Sequence, residues 1–171
     1  MAPLIALVLV TLLARLYGWR KGGGHFGSLS GALRAGVAAM FVITGIAHFV
    51  GLREDLVKMV PPVFGDPGFW VTLTGVAELA GAAGILLPAT RRWAAAGLAL
   101  LLLAMFPANA YAAVNHLTFG GKPATPLVPR ILEQLVFLAA VLWAGGFRAI
   151  NPRWRSRGSS ASASGGRLPT S

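Results

Sequence analysis

The sequence predicts an all-α membrane protein: a four-helix transmembrane bundle, an extra N-terminal hydrophobic helix and a disordered C-terminal tail. Of the 171 residues, 56% are hydrophobic and only 12% are charged, whereas soluble domains carry about 25% charged residues. Five apolar segments follow one another, and a helix of roughly 20 apolar residues crosses a bilayer core. Polar loops rich in glycine and proline separate these segments, which is typical of turns between helices.

The chain divides into three predicted regions. Residues 1–28 contain the N-terminal hydrophobic helix and a glycine-rich linker, and residues 29–147 form the four-helix membrane domain. Residues 148–171 form a basic tail rich in serine and glycine, which has too few apolar residues to bury and is predicted to be disordered. The chain has no cysteine, which excludes disulfides, thiolate metal sites and cysteine nucleophiles.

The N-terminal segment is the weakest of the five, because Arg15 interrupts its apolar run from Ala2 to Gly18. It has no basic region before its apolar stretch, as a cleaved signal peptide would. We therefore expect a transmembrane or interfacial helix. The other four segments are longer or more apolar; they begin near Leu29, Pro67, Trp93 and Leu127. Only the short turn PATRR (88–92) separates the third from the fourth, so these two should be antiparallel neighbours.

The distribution of positive charge predicts an orientation. If the five segments alternate across a membrane and the tail is cytoplasmic, four cations lie outside: Arg53, Lys58, Lys122 and Arg130. Eleven of the 15 lysines and arginines then lie inside: Arg15, Arg20, Lys21, Arg34, Arg91, Arg92, Arg148, Arg153, Arg155, Arg157 and Arg167. Cytoplasmic loops carry an excess of lysine and arginine, which favours this orientation. The net charge of +10 is therefore read as a topology signal, and no nucleic-acid partner is predicted.

Polar residues within the apolar segments concentrate toward the outer side in this orientation. Glu78 lies 11 residues after Pro67, about 16 Å along a helix axis, which places it near the membrane midplane. The other candidates lie closer to the outer surface: His48, Asn109, Arg130, Glu133 and Gln134. We expect these side chains to form a polar pocket that opens toward the outer leaflet.

Glu78 is the central candidate, because an acid inside a membrane usually faces the bundle interior and has a partner. Pro107 leaves the carbonyl of Leu103 without its helical donor, and nearby Asn109 could donate to Glu78. Simpler interpretations remain open. Glu78 could only hold helices together, and Asn109 with Pro107 could mark a kink with an interhelical hydrogen bond. His48 could be solvated at the interface, and Arg130 could reach lipid headgroups. Ligation of a haem or metal by His48 and His116 has no supporting residues, so no metal site is predicted.

Five short motifs resemble the DoxX-like family of small bacterial integral membrane proteins. They occur in register between about residues 33 and 146: GIAHF (45–49), MVPP (59–62), GVAELAGAAGILLPATRRWAAAGL (75–98), FPANAY (106–111) and PRILEQ (129–134). The resemblance implies a core of four helices and maps the family's polar positions onto this chain. These positions are His48, Glu78, Asn109, Arg130 and Gln134.

The resemblance also implies a redox-associated membrane subunit that acts with a quinone. Glu78 and His48 are then the candidate catalytic residues, and Arg130, Asn109 and Gln134 the candidate cofactor-binding residues. No electron donor is evident in this chain, so we expect a second redox protein, or a second copy of the chain, as a partner in the lipid bilayer. The alternative is a non-catalytic membrane scaffold or chaperone-like partner. A transporter is disfavoured, because the inner half lacks polar residues that would continue a path.

Overall fold

The computed structural model describes residues 2–147, and this part of the chain is mostly helical. Five helices are long and apolar enough to cross a membrane, which confirms the predicted class at this level. They are α1 (Ala2–Arg20), α2 (Leu29–Ala47), α4 (Pro67–Leu86), α5 (Arg91–Val114) and α6 (Leu127–Gly145). The shorter helix α3 (Arg53–Met59) follows α2. The predicted disordered tail, residues 148–171, lies outside the described residues.

Local signals in the sequence explain where several helices begin and end. The side chain of Ser28 accepts a hydrogen bond from the Gly31 N–H at the start of α2. Asp66 similarly accepts from the Gly68 N–H, and Pro67 occupies the first turn of α4. Serine and aspartate are favoured at these positions because they satisfy N–H groups that have no helical partner. At the other end of the chain, Gly146 stops α6 in the left-handed conformation that glycine adopts readily.

The membrane-length helices pack around a shared apolar core. Helix α2 contacts α1, α4 and α6, while α5 contacts α4 and α6. Contact between α4 and α5 confirms that the short turn between them makes neighbours of these two helices. The largest fully buried side chains come from α2, α4, α5 and α6: Phe41, Met40, Ile85, Leu98, Val37 and Val141. Helix α1 lies against α2 and contributes Leu7 to this core.

The connection between α5 and α6 contains structure that sequence patterns did not predict. Thr118–Phe119 (β1) and Lys122–Pro123 (β2) pair as a small antiparallel hairpin. Gly120 and Gly121 form its turn, and both have positive φ, as the tight turns favoured in hairpins require. The N–H of Gly120 donates to Asp55 on α3 at 2.7 Å. Helix α3 and the hairpin, predicted only as polar loops, are therefore joined to each other.

Close packing between α1 and α2 depends on a glycine. A β-carbon at Gly36 would overlap the side chain of Thr11 and lie 2.6 Å from the Leu7 carbonyl oxygen. Small residues of this kind let membrane helices approach until their backbones touch. Thus α1 packs tightly onto the bundle, although it was the weakest of the five segments in the sequence.

Replacing Gly36 by leucine should separate α1 from α2, because the added side chain has no space. We expect Gly36→Leu to lower the free energy of unfolding by about 1–3 kcal/mol, as other overpacked sites do. The measurement is thermal or denaturant unfolding of the purified chain in mild detergent. Gly97→Leu is the matched control, since a β-carbon there meets no atom of residues 2–147 within 4 Å. Equal loss of stability in both variants would contradict this account of the α1–α2 contact.

Candidate functional site

Two of the predicted residues, His48 and Glu78, form a buried pair between α2 and α4. Glu78 lies in the middle of α4 and is 3% exposed, while His48 directly follows α2 and is 4% exposed. The Nδ1 atom of His48 lies 3.7 Å from the Oε2 atom of Glu78. The same Nδ1 atom is 2.9 Å from the Thr44 carbonyl oxygen, to which it donates when protonated. The two titratable side chains are thus in contact without a direct hydrogen bond.

Glycines on both helices make this contact possible. A β-carbon at Gly75, one turn before Glu78, would lie 2.6 Å from the β-carbon of His48. A β-carbon at Gly45, on the facing helix, would lie 2.9 Å from the side chain of Leu79. The two helices therefore approach closely on each side of the pair. The result is a polar pair that is excluded from solvent by the helix crossing itself.

The carboxyl group of Glu78 has unused hydrogen-bonding capacity. The side chain of Thr44 lies against it, but its Oε2 atom is buried and has no hydrogen-bond partner among residues 2–147. The large majority of buried side-chain polar atoms in proteins are hydrogen-bonded, so an exception calls for an explanation. An oxygen in this position can take a proton, or bind a donor or acceptor supplied by another molecule.

Arg53, which was not among the predicted site residues, lies beside the His48–Glu78 pair. As the first residue of α3, it donates from Nη1 to the His48 carbonyl oxygen at 3.0 Å. Its Nη2 atom donates to the hydroxyl of Thr72 on α4, also at 3.0 Å. This arginine therefore connects the end of α2 to α4 directly beside the pair. In the sequence it stands in the charged run RED, which is also typical of a solvated surface.

The other three predicted residues lie at the contact between α5 and α6. Arg130 donates from Nη1 to the Oδ1 atom of Asn109 at 2.6 Å, and it interacts electrostatically with Glu133. Gln134 is buried and donates from Nε2 to the Leu102 carbonyl oxygen at 2.6 Å. Among residues 2–147 no hydrogen bond joins Asn109 to Glu78; Asn109 instead takes part in an interhelical hydrogen bond, which was the alternative interpretation of this residue. The predicted residues are thus divided between two helix contacts.

Asn109, Arg130 and Gln134 are called the α5–α6 group, and the hairpin contacts this group at Arg130. The guanidinium carbon of Arg130 lies 6.0 Å from the centre of the Phe119 ring on β1. Its Nε atom also donates to the Thr125 carbonyl oxygen at 3.4 Å, just before α6 begins. Arg130 is therefore held by its own helix, the preceding loop and α5 together, rather than extending freely toward lipid.

Two cavities lie away from these residues. One, of about 280 Å³, is lined by Arg34 and Arg91, and the other, of about 740 Å³, lies along α4 and α5. Neither is lined by a predicted site residue. The outward-opening polar pocket therefore stays a prediction. Within residues 2–147, no three His, Asp or Glu side chains are grouped closely enough to hold a metal ion.

The fold and these buried polar pairs define a small helical protein with membrane-length helices. Residues 37–148 match a family described as a domain of unknown function (DUF8561). The match covers more than half of the chain, so the chain belongs to this family. It includes all five predicted site residues and leaves α1 outside. No curated protein and no solved structure matches the chain.

The hydrogen bond between Arg130 and Asn109 predicts an energetic coupling between these positions. In a double-mutant cycle with Arg130→Gln and Asn109→Ala, we expect a coupling free energy of about 1 kcal/mol, near the upper range for hydrogen bonds between membrane helices. The matched cycle between Glu78→Gln and Asn109→Ala should give a value near zero. The measurement is reversible unfolding in mixed detergent micelles. Strong coupling of Asn109 to Glu78, with none to Arg130, would show that the observed partners are incorrect.

Proposed function

We propose that this protein is a quinone-linked, redox-associated subunit of the bacterial inner membrane, and that His48 and Glu78 form its reactive pair. The observation that carries the proposal is the buried Oε2 atom of Glu78, which has no hydrogen-bond partner among residues 2–147 and lies 3.7 Å from His48. A carboxyl group inside a membrane is costly and is normally found where it has a function or a partner. The motif resemblance to the DoxX-like family supports the same interpretation.

The chemistry of the pair suits the proposed role. A quinone, when bound, accepts two electrons and two protons. The carboxyl group of Glu78 donates one hydrogen bond when neutral and only accepts when ionised, and the imidazole of His48 can both donate and accept. The pair therefore contains the groups needed to hold a carbonyl oxygen and to exchange protons. Arg53 and Thr44 keep His48 in place through its backbone and its ring.

The α5–α6 group is proposed to orient the bound molecule and the helices around it. Asn109 and Gln134 each form one bond described above, and Arg130 retains N–H groups beyond the two that donate to Asn109 and Thr125. The electrons that reduce the quinone are proposed to come from outside this chain. A second redox protein is accordingly proposed as a partner.

The proposed arrangement is a four-helix bundle of α2, α4, α5 and α6 with α1 added against α2. The contacts among these helices support it. The tail and the α4–α5 turn are proposed to face the cytoplasm, because eleven of the 15 lysines and arginines are then cytoplasmic. His48, Arg53 and the hairpin then lie toward the outer surface.

This orientation can be tested by cysteine labelling, because the chain has no native cysteine. Lys122→Cys, in the hairpin, should react with a membrane-impermeant maleimide added to intact cells whose outer layers admit the reagent. Ala89→Cys, in the α4–α5 turn, should react only after the inner membrane is opened. Labelling of both positions from the same side, or the reverse pattern, would contradict the proposed orientation.

The function itself is tested by quinone binding. Purified protein in mild detergent should bind a short-chain benzoquinone or naphthoquinone, measured by quenching of tryptophan fluorescence. Glu78→Gln should weaken this binding by about ten- to a hundredfold, as expected when a buried polar contact is lost. Glu54→Gln, an exposed position on α3, is the matched control and should bind like the wild type. Equal affinity in all three proteins would refute the proposed role of Glu78, and absence of binding to the wild type would refute the quinone proposal.

The alternative is a non-catalytic scaffold or chaperone-like partner, which the interhelical bonds of Arg130 and Gln134 favour. In that case Glu78 contributes only to helix packing. Glu78→Gln would then lower the melting temperature, while neither quinone would raise that of the wild type. The quinone-linked function instead requires a ligand-dependent increase in the wild type that is reduced in Glu78→Gln.

A further inference from the structure

Three arginines meet at the end of the bundle opposite to His48. Arg34 from the first half of α2 and the adjacent residues Arg91 and Arg92 at the start of α5 line the cavity of about 280 Å³. The end of α6 completes this cavity through Gly145 and Gly146. We refer to it as the arginine cavity. It is separate from every residue assigned to the proposed redox function.

Within residues 2–147, no acid that lines the arginine cavity balances its positive charge. Arg34 and Arg91 are close enough to repel each other electrostatically. The bonds described for them use carbonyl oxygens of the helix ends: Arg34 donates from Nε to Ala144 at 3.1 Å, and Arg91 from Nε to Ile85 at 3.4 Å. None of the five acids of the chain lines the cavity; they are Glu54, Asp55, Asp66, Glu78 and Glu133.

The start of α5 adds a further positive field. Its N-cap residue, Thr90, makes no side-chain capping bond to the helix; its hydroxyl donates to the Gly84 carbonyl oxygen at 2.9 Å. The N–H of Arg91 already donates to the Leu87 carbonyl oxygen at 3.0 Å, so the start of α5 contributes through its helix dipole, which attracts negative charge. Together, the guanidinium groups and the start of α5 favour a phosphate group, which arginine binds with paired hydrogen bonds.

An apolar groove adjoins the arginine cavity. It has a volume of about 740 Å³, runs along α4 and α5, and is lined by small and aliphatic residues such as Gly81, Gly97 and Leu101. Trp93 lines both spaces and is 82% exposed. Tryptophan is enriched where the membrane interior meets the headgroups. The arginine cavity and the apolar groove therefore meet at Trp93.

We propose that this surface binds one anionic phospholipid, whose phosphate occupies the arginine cavity and whose acyl chain lies in the groove between α4 and α5. A soluble phosphate would use only the charged part. A zwitterionic lipid would bring its own positive charge next to Arg91 and Arg92. An anionic phospholipid matches both the uncompensated charge and the adjoining apolar surface, which is why it is the occupant favoured here.

The test is native mass spectrometry of the full-length protein in a neutral detergent, titrated with phosphatidylglycerol or with phosphatidylcholine of the same acyl chains. The wild type should bind one phosphatidylglycerol at least about tenfold more tightly than phosphatidylcholine. Arg91→Gln with Arg92→Gln should remove this preference. If the pair fails to fold, Arg92→Gln alone, at an exposed position, should still reduce the preference severalfold.

Two controls separate this site from general attraction between charges and lipids. Arg20→Gln with Lys21→Gln removes the same charge without changing a residue that lines the cavity, and it should keep the preference. Gly97→Leu fills the groove and should weaken phosphatidylglycerol binding, whereas Ala139→Leu, at an exposed position on α6, should not.

Three results would overturn the proposal. One is equal binding of both lipids by the wild type, and another is equal loss of preference in the two charge-removing pairs. The last is phosphatidylglycerol binding that Gly97→Leu leaves unchanged while inorganic phosphate competes fully, since the occupant would then be a free anion. Quinone binding by His48 and Glu78 would be unaffected by any of these outcomes.

Discussion

The close crossing of α2 and α4 is the contact on which the rest of the candidate site depends. Gly45 and Gly75 allow the helices to approach until His48 and Glu78 lie within 3.7 Å of each other in a solvent-excluded space. A larger residue at Gly75 would overlap His48 and separate the pair. The same approach brings Arg53 to Thr72 and so anchors α3, which in turn holds the hairpin through Asp55. One backbone contact thus organises the whole end of the bundle.

The two ends of the bundle differ in chemistry. The end that contains His48, Arg53 and Arg130 has acids beside its cations, and most of its polar groups are paired with one another. At the opposite end, no side-chain carboxylate within residues 2–147 lines the cavity that contains the arginines. In a membrane these differences have distinct consequences, because paired groups can be buried whereas unpaired cations seek anionic headgroups. The arginine cavity therefore lies at one end of the bundle, whereas His48 lies at the other end and Glu78 lies midway along α4.

The buried polar residues could be predicted from the sequence, because a polar residue in an apolar segment is conspicuous. The buried polar side chains among the described residues are His48, Glu78 and Gln134, and all three were selected. Arg53 was not among the predicted site residues, because it lies in a charged run that is equally typical of an exposed loop. Nor did the sequence indicate that the candidates fall into two groups, one at the α2–α4 contact and one at the α5–α6 contact. Depth along each helix does not specify which helices are neighbours or how each is rotated.

By itself, the sequence determined the helical class, the five membrane-length segments and the residues that need a polar partner. These properties follow from composition and from the length of each apolar run, which are local. Only the tertiary structure decided that Glu78 faces His48, that Asn109 pairs with Arg130, and that Arg34 meets Arg91. Each of these contacts joins residues from different parts of the chain, and the contact between Glu78 and His48 depends on Gly45 and Gly75, which let two backbones approach. The periodicity of one helical segment does not specify how that helix is rotated or how closely it approaches its neighbours.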